Sequence, residues 1–355
     1  MGWMKRYTAS VVGCGSGGRL SLDALAASDR YELIAACDVR PDVCGEIKAR
    51  YPGIRTYPDH AALFRESPTD VVCVATWPPS HKAVTLDAIQ LPLAGILVEK
   101  PLAETAAAGR GLLDAIRDRK LPVAVPHGLL VAPHVTEIVR RVRGGEIGDL
   151  KLVEIQCTGW DIINAGIHWL NFVVVLTAGA PAAWVLAQCD KTTRTYRDGM
   201  QVETLGVTYV HTRGGVNVVM TTGDDVPISR DKKGVVFRLV GTRGVLEFWA
   251  WESAYLLCSP ELPEGRRIEV EVPDGSPHQR HLDRLAGQMD AGRPDYGWAE
   301  GSLAALEMVE AAYLSARHGV KVELPIRDFR PPEPNDWDPG RPYGGSGGGR
   351  DGRKL

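Results

Sequence analysis

Along residues 7–125, short runs of consecutive apolar residues alternate with segments whose apolar positions recur at helical spacing. The runs are Tyr7–Val12, Tyr31–Cys37, Val71–Ala75, Gly95–Val98 and Val123–Val125, with helical patterns over 19–28, 41–50, 80–90 and 104–119 between them. A strand apolar at every position is buried on both faces, and strands alternating with helices pair in parallel. This first stretch therefore predicts an α/β, doubly wound parallel sheet.

The pattern changes after Pro126. A helix over 134–144 ends at Gly144-Gly145, and a strand over Lys151–Cys157 follows. Residues 161–178 are apolar nearly all round, which marks a buried helix. Runs of β-type residues come next, at 183–189, 202–211, 215–222, 234–240, 244–251, 254–258 and 267–272. Turn signals such as Gly241-Thr242-Arg243-Gly244 separate them and predict antiparallel hairpins. Helices resume at 278–291 and 298–318. The predicted organisation is a first domain over 1–125, an α+β domain over 126–330 and a Pro/Gly-rich tail over 331–355. The tail is too polar and glycine-rich to bury a core.

The first candidate chemistry lies where the first strand ends. Tyr7–Val12 runs into Gly13-Cys14-Gly15-Ser16-Gly17-Gly18, a G-x-G-x-x-G pattern between a strand and a helix. One glycine makes the tight turn, the next lets backbone approach a pyrophosphate, and the third permits close helix–strand packing. The helix N-terminus then offers unpaired N–H groups to phosphate. The glycine pattern alone is weak, but Asp38 ends the next strand about 20 residues on, as a dinucleotide-binding fingerprint requires. A carboxylate there hydrogen-bonds ribose hydroxyls and repels a 2′-phosphate, so NAD is expected and NADP is less favoured. Val39 and Arg40 adjoin it. Two further strand ends carry Thr76-Trp77-Pro78-Pro79-Ser80-His81 and Glu99-Lys100-Pro101. Ligands of open α/β sheets bind at such ends. Cofactor contacts are accordingly expected from Gly13, Gly15, Ser16, Gly17, Gly18, Asp38, Val39, Arg40, Thr76, Trp77, His81, Glu99 and Lys100. The bland reading of Lys100 is a surface ion pair with Glu99.

In the apolar segment 161–178, Asn164, His168 and Asn171 fall at i, i+4 and i+7, on one face of a helix. Asp161 continues that stripe or caps the helix. A buried polar stripe needs partners, which a hydroxyl-rich ligand supplies. His127, after the last strand of the first domain, and Trp77 and Trp160 are weaker candidates for ligand contact; core packing is the default for either tryptophan. His278 and His281 begin a helix and read as surface residues.

Bulk properties narrow the classes. The 355 residues suffice for two cores, and 44% hydrophobic with 24% charged residues is an ordinary globular mixture. A net charge of −3 offers no cationic field for nucleic acid or anionic lipid. The seven cysteines are scattered without a C-x-x-C pair, which indicates neither disulfide framework nor zinc site and suits a reducing cytoplasm. No metal is expected. No membrane segment or signal peptide is read in the chain, so cytoplasmic location is the expectation.

Taken together, Gly13–Gly18, Asp38, the Ala75-to-His81 loop, Glu99-Lys100-Pro101, Gly145-Glu146-Ile147-Gly148-Asp149, Gly166-Ile167-His168 and the region Glu307–Pro325 resemble the Gfo/Idh/MocA family, the glucose–fructose oxidoreductase and inositol dehydrogenase group. The resemblance covers about residues 7–326. It implies a second domain built on a large, mostly antiparallel sheet that joins homodimers or homotetramers. It also implies hydride transfer between nicotinamide and a secondary hydroxyl or ketone of a carbohydrate or cyclitol. Lys100 of the Glu-Lys-Pro motif then lies beside nicotinamide and substrate, with a cis bond at Pro101. Lys100, His168 and Asn164 are the implied catalytic residues, and His127, Trp160, Asn164 and His168 the implied substrate contacts. The chain departs from the family pattern in carrying Asn164 and Asn171 where aspartates are common, so the usual carboxylate beside His168 is missing. A redox-neutral, NAD-dependent glycoside-cleaving enzyme and a non-catalytic dinucleotide sensor are the alternative readings.

Overall fold

The computed structural model describes residues 5–190, 195–228, 234–328, 340 and 349–350. They divide into two compact units: residues up to Pro126 with Asp274–Leu303, and His127–Pro273 with the residues from Ala304 onward.

The first unit contains a six-stranded sheet of β1 (Tyr7–Val12), β2 (Tyr31–Cys37), β3 (Arg55–Tyr57), β4 (Val71–Val74), β5 (Gly95–Val98) and β6 (Val123–Ala124), all parallel, in the order β3-β2-β1-β4-β5-β6. Its helices are α1 (Ser16–Ala26), α2 (Pro41–Arg50), α3 (His60–Glu66), α4 (Pro78–Ala88) and α5 (Ala106–Asp118). Alternate strand residues feed two cores, which explains the unbroken apolar runs. Val12, Val72, Val74, Ile96 and Val98 meet Leu63, Val84 and Leu112 on one face. Val11, Val71, Cys73 and Leu97 meet Leu22, Leu25 and Ile47 on the other.

One assignment from the sequence needs correction. Helix Pro277–Ala291 was expected in the second domain, yet it groups with the first unit. Leu282, Leu285 and Ala286 are buried in the second of those cores, beside Leu97 and Ala124. The sheet supplies the apolar surface this helix needs. The short pair β3 and α3 was also unanticipated, because only Tyr57 of its three strand residues is buried.

The second unit holds α6 (Pro133–Arg143), β7 (Leu150–Cys157), a π-helical turn (Ile162–Gly166), α7 (Ile167–Leu176), β8 (Ala182–Cys189), β9 (Thr195–Arg197), β10 (Met200–Val202), β11 (Gly206–Thr212), β12 (Asn217–Thr222), β13 (Val235–Gly241), β14 (Val245–Trp249), β15 (Ala254–Ser259) and β16 (Leu262–Glu269). The helix already described becomes α8 (Pro277–Ala291); α9 (Gly297–His318) and β17 (Val322–Glu323) follow. Nine strands form one sheet in the order β16-β15-β14-β13-β7-β12-β11-β8-β17. It is antiparallel except at β7–β12, as the hairpin signals and the resemblance led us to expect. The expected strand 202–211 is interrupted, and the expected strand 267–272 lies earlier, at Leu262–Glu269. The uniform helix expected over 161–178 begins instead with the π turn. The tail 331–355 lies outside the described residues except for Gly340 and Gly349–Arg350, the latter pairing with β9.

Candidate active site

In the first unit, the predicted cofactor residues gather at the C-terminal ends of β1, β2, β4 and β5. The strand order reverses between β1 and β4, and that switch point is where open α/β sheets bind ligands. Gly13 adopts φ +89°, and a Cβ there would lie 2.5 Å from the Ala75 carbonyl oxygen. A Cβ on Gly18 would lie 1.8 Å from the Gly13 carbonyl oxygen, so the third glycine is the packing glycine of the fingerprint. Gly15 differs: the nearest atom to an added Cβ is an Arg40 guanidinium nitrogen at 3.9 Å. Gly15 is also the N-cap of α1 and provides no side-chain cap for its first N–H groups. Open space over uncapped N–H donors fits a pyrophosphate. A Cβ on Gly17 would lie 3.4 Å from the Glu99 side chain, and Ser16 beside it is exposed.

Asp38 is buried at the end of β2. Its Oδ2 accepts a hydrogen bond from the Cys14 backbone N–H at 2.9 Å, and Arg40 donates to Oδ1 from Nε at 2.9 Å. Burial pushes this carboxyl up, but the bonds from Arg40 and Cys14 outweigh it and hold it below the usual range. Asp38 is therefore an anion tied to the glycine loop, and Val39 beside it is 81% exposed.

The loops after β4 and β5 are joined by His81. Its Nδ1 is 2.8 Å from the Pro101 carbonyl oxygen and its Nε2 is 2.7 Å from that of Thr76. Burial pulls the imidazole pKa down, against the two carbonyls and Glu99. The Lys100–Pro101 bond is cis, as expected. Glu99 is not a surface partner of Lys100: it is buried, and its Oε1 lies 2.7 Å from Nε2 of His278. Burial raises the Glu99 carboxyl, whereas His278, then Lys100 and His81, lower it more, leaving it below the usual range. His278 and His281 are thus both buried, not surface residues as expected. The signal was present in the sequence: with Leu282, Leu285 and Ala286 they form one face at helical spacing. Trp77 is 57% exposed, contrary to a core role.

In the second unit, Asp161 caps the π turn by accepting from the Asn164 N–H at 2.8 Å. The N–H groups of Ala165 and Gly166 both reach the Asp161 carbonyl, which widens the turn. Asn164 adds its side-chain amide to both carboxylate oxygens, at 3.0 and 3.1 Å. Arg197 clamps the same carboxylate at 2.8 Å and Asp224 at 2.6 Å, while its guanidinium stacks over Trp160. Trp160 is 51% exposed, so core packing is excluded for it as well.

Sequence reading missed Glu203, which stands in an ordinary β-type run. It is completely buried, accepts from the Ile162 N–H at 2.7 Å, and receives the Tyr313 hydroxyl at 2.9 Å. Burial first, and then the nearby Asp161 charge, push it up to about 7. Nothing in the local pattern marks it, because its partners lie in distant elements.

His168 and His127 meet directly: their Nδ1 atoms are 3.0 Å apart and their rings are edge to face. Asn171 is buried, and among the described residues neither of its amide atoms has a hydrogen-bond partner. This arrangement offers a half-buried imidazole (His168), an amide anchored by a carboxylate (Asn164) and an unsatisfied amide (Asn171), suited to hydroxyl groups.

Residues 8–127 match the model of an oxidoreductase family with an NAD-binding Rossmann fold, Gfo/Idh/MocA. The chain is 30% identical over 145 residues to the D-apiose dehydrogenase of Paraburkholderia graminis, covering 41% of this chain and 38% of that one. It is 26% identical over 205 residues to the rhizopine catabolism protein MocA of Rhizobium meliloti, covering 54% and 63%. The matched stretches thus span about two fifths and three fifths of those relatives' own length. Among solved structures, it resembles the aldose-aldose oxidoreductase of Caulobacter crescentus with a TM-score of 0.75, at 20% identity over 90% of this chain and 100% of that one.

Proposed function

We propose that this chain is an NAD-dependent dehydrogenase or reductase of the Gfo/Idh/MocA kind, acting on a secondary hydroxyl or ketone of a sugar, glycoside or cyclitol; the match of residues 8–127 to that family's model supports this reading. The observation that carries this reading is the meeting of the open Gly15 turn, the anionic Asp38 and the Glu99-Lys100-Pro101 loop at one sheet edge. Gly13, Gly15, Ser16, Gly17 and Gly18 hold the pyrophosphate. Asp38 takes the ribose hydroxyls and disfavours a 2′-phosphate, with Val39 and Arg40 bordering the adenosine. Thr76, Trp77, His81 and Glu99 shape the nicotinamide end. The bound dinucleotide supplies the hydride acceptor or donor.

Removing hydride from a neutral alcohol leaves a high-energy protonated carbonyl, so the hydroxyl must give up its proton as the hydride departs. Lys100 takes or relays that proton, and His168 shares the relay or holds the hydroxyl. Asn164, locked against Asp161, positions the substrate, with His127 and Trp160 at its margin. The name of one relative, a D-apiose dehydrogenase, agrees with a sugar substrate.

The second unit's sheet exposes Leu186, Val207 and Leu256, which supports homodimers or homotetramers through that sheet. Among the described residues, no helix is long and apolar enough to cross a membrane. The scattered spacing of the seven cysteines, with no C-x-x-C pair in the sequence, supports a cytoplasmic location.

The test is NADH formation by purified protein given NAD and a panel of aldoses, glycosides and cyclitols. Turnover of at least one panel member is expected. Products without NADH accumulation would move the reading to redox-neutral cleavage, and silence across the panel in both directions would overturn the oxidoreductase.

A further inference from the structure

We propose that Arg197 is a positioning residue that fixes the Trp160 indole and the Asn164 amide together as a seat for a saturated ring, so that the substrate is a pyranose or cyclitol rather than an open-chain polyol. The inference deepens the proposed function and rests on it for the reaction. Its geometry lies wholly within the second unit.

Local rules place Arg197. It is the last residue of β9 and pairs with Met200, the first of β10, across the two-residue turn Asp198-Gly199. Both turn residues have positive φ, 50° and 78°, the type I′ geometry that an Asp-Gly pair favours in hairpins. So short a turn fixes the backbone from which the arginine side chain starts.

Two carboxylates then hold the guanidinium. Nη1 donates to Oδ2 of Asp161 at 2.8 Å, and Nη2 donates to both oxygens of Asp224 at 2.6 and 2.7 Å. The Asp161 side chain is fully buried and that of Arg197 is 12% exposed, so little water competes for either ion. A rigid planar fork held at both terminal nitrogens has its orientation fixed as well. The same guanidinium sits over the Trp160 ring, its central carbon 5.3 Å from the ring centroid. Trp160 is nevertheless half exposed, which leaves indole surface for a ligand.

Asp161 passes the constraint on to Asn164. A carboxylate accepts and does not donate, so the Asn164 amide turns its NH2 towards Asp161, at 3.0 and 3.1 Å, and its carbonyl oxygen away. One cluster therefore holds an aromatic plane and an amide acceptor, both with set orientation. A pyranose or cyclitol suits the two together. Its axial C–H bonds pack on the negative face of an indole, while hydroxyls around its rim donate to an amide oxygen. An open-chain polyol has no such face until several torsions are frozen, at a cost in entropy.

The experiment is a double-mutant cycle on ligand binding, read by saturation-transfer NMR on the full-length, NAD-loaded protein. The ring probes are myo-inositol, D-glucose, D-xylose and the methyl glycosides of both sugars; the open-chain probes are sorbitol and xylitol. At least one ring probe should bind about tenfold or more tightly than either open-chain probe. Trp160→Leu should weaken that probe about tenfold or more, with Trp160→Phe, which keeps a ring face, recovering part of the loss. Arg197→Lys keeps a cation against Asp161 but not the fork, and should weaken the same probe. In the double variant the two losses should combine to less than their product, because the indole that Arg197 positions is gone. Losses that multiply independently overturn the proposal. So does a ring probe bound no better than the open-chain pair, or bound by Trp160→Leu as by the parent, and these two results decide even if Arg197→Lys does not fold. Ring-selective binding that depends on Trp160, without turnover of any probe, would refute the proposed reaction and leave this inference standing. Turnover of ring and open-chain probes with equal KM would do the reverse.

Discussion

Nε2 of His278 lies 2.7 Å from Oε1 of Glu99, tying α8 to the loop that follows β5 across 179 residues of sequence. Both side chains are buried, so the carboxylate depends on this partner. Removing one member of such a pair leaves the other uncompensated, at a cost of about 3–5 kcal/mol. His278→Ala is expected to lower the urea midpoint accordingly; a loss below about 1 kcal/mol would show that Glu99 has a sufficient second partner. The sign with pH follows from the depressed Glu99 carboxyl. Its stabilisation is complete above the unfolded value of about 4.3 and disappears as pH falls through the folded value, so variant and parent should converge in acid.

The glycines of the first turn should separate folding from binding. Gly18→Ala drives a Cβ to 1.8 Å from the Gly13 carbonyl oxygen and is expected to destabilise the Rossmann unit, measured as a lower Tm. Gly15→Ala meets nothing closer than 3.9 Å and should melt like the parent. Its added methyl occupies the space assigned to pyrophosphate, so NADH affinity should fall about tenfold or more in a fluorescence titration. Equal NADH affinity in Gly15→Ala and parent would contradict the assignment.

The proposed preference for NAD over NADP rests on Asp38. Asp38→Ser removes the carboxylate that opposes a 2′-phosphate and releases Arg40, which Asp38 holds at 2.9 Å. The ratio of NADPH to NADH dissociation constants should drop about tenfold or more, chiefly through tighter NADPH binding. An unchanged ratio would remove Asp38 from the discrimination.

Glu203 gives a second pH signature with the opposite sign. Because its folded pKa is raised to about 7, it favours the folded state below the unfolded value and loses that contribution as pH rises towards 7. Glu203→Gln has no such proton to lose. Chemical denaturation between about pH 4 and 8 should show a flatter stability profile in the variant than in the parent. Parallel profiles would mean that Glu203 is ionised throughout that range.

The parallel sheet was legible because each of its strands is buried on two faces, which leaves an unbroken apolar run in the sequence. The glycine turn was legible for a similar reason: its steric demands at Gly13 and Gly18 admit one residue type. β3 and α3 escaped notice because a three-residue edge strand with one buried side chain leaves almost no periodic trace. The allegiance of α8 was invisible in principle, since an apolar face states that a helix is covered and not which core covers it. The same limit applies to the buried polar contacts. Asp161 and Asn164 are three residues apart and could be paired from sequence, whereas Glu203 with Tyr313, and Glu99 with His278, are joined by the fold alone. The π turn was missed because it depends on Asp161 accepting two successive backbone N–H groups at its carbonyl.

The central claim is that the Glu99-Lys100-Pro101 loop carries proton transfer during sugar oxidation. Its most direct test is Lys100→Met, assayed for NADH formation on whichever panel sugar the parent oxidises and, in parallel, for NADH binding. The account predicts a fall in kcat of about a thousandfold or more, with the NADH dissociation constant within about twofold of the parent. Undiminished turnover in Lys100→Met, with the fold and cofactor affinity intact, would contradict it.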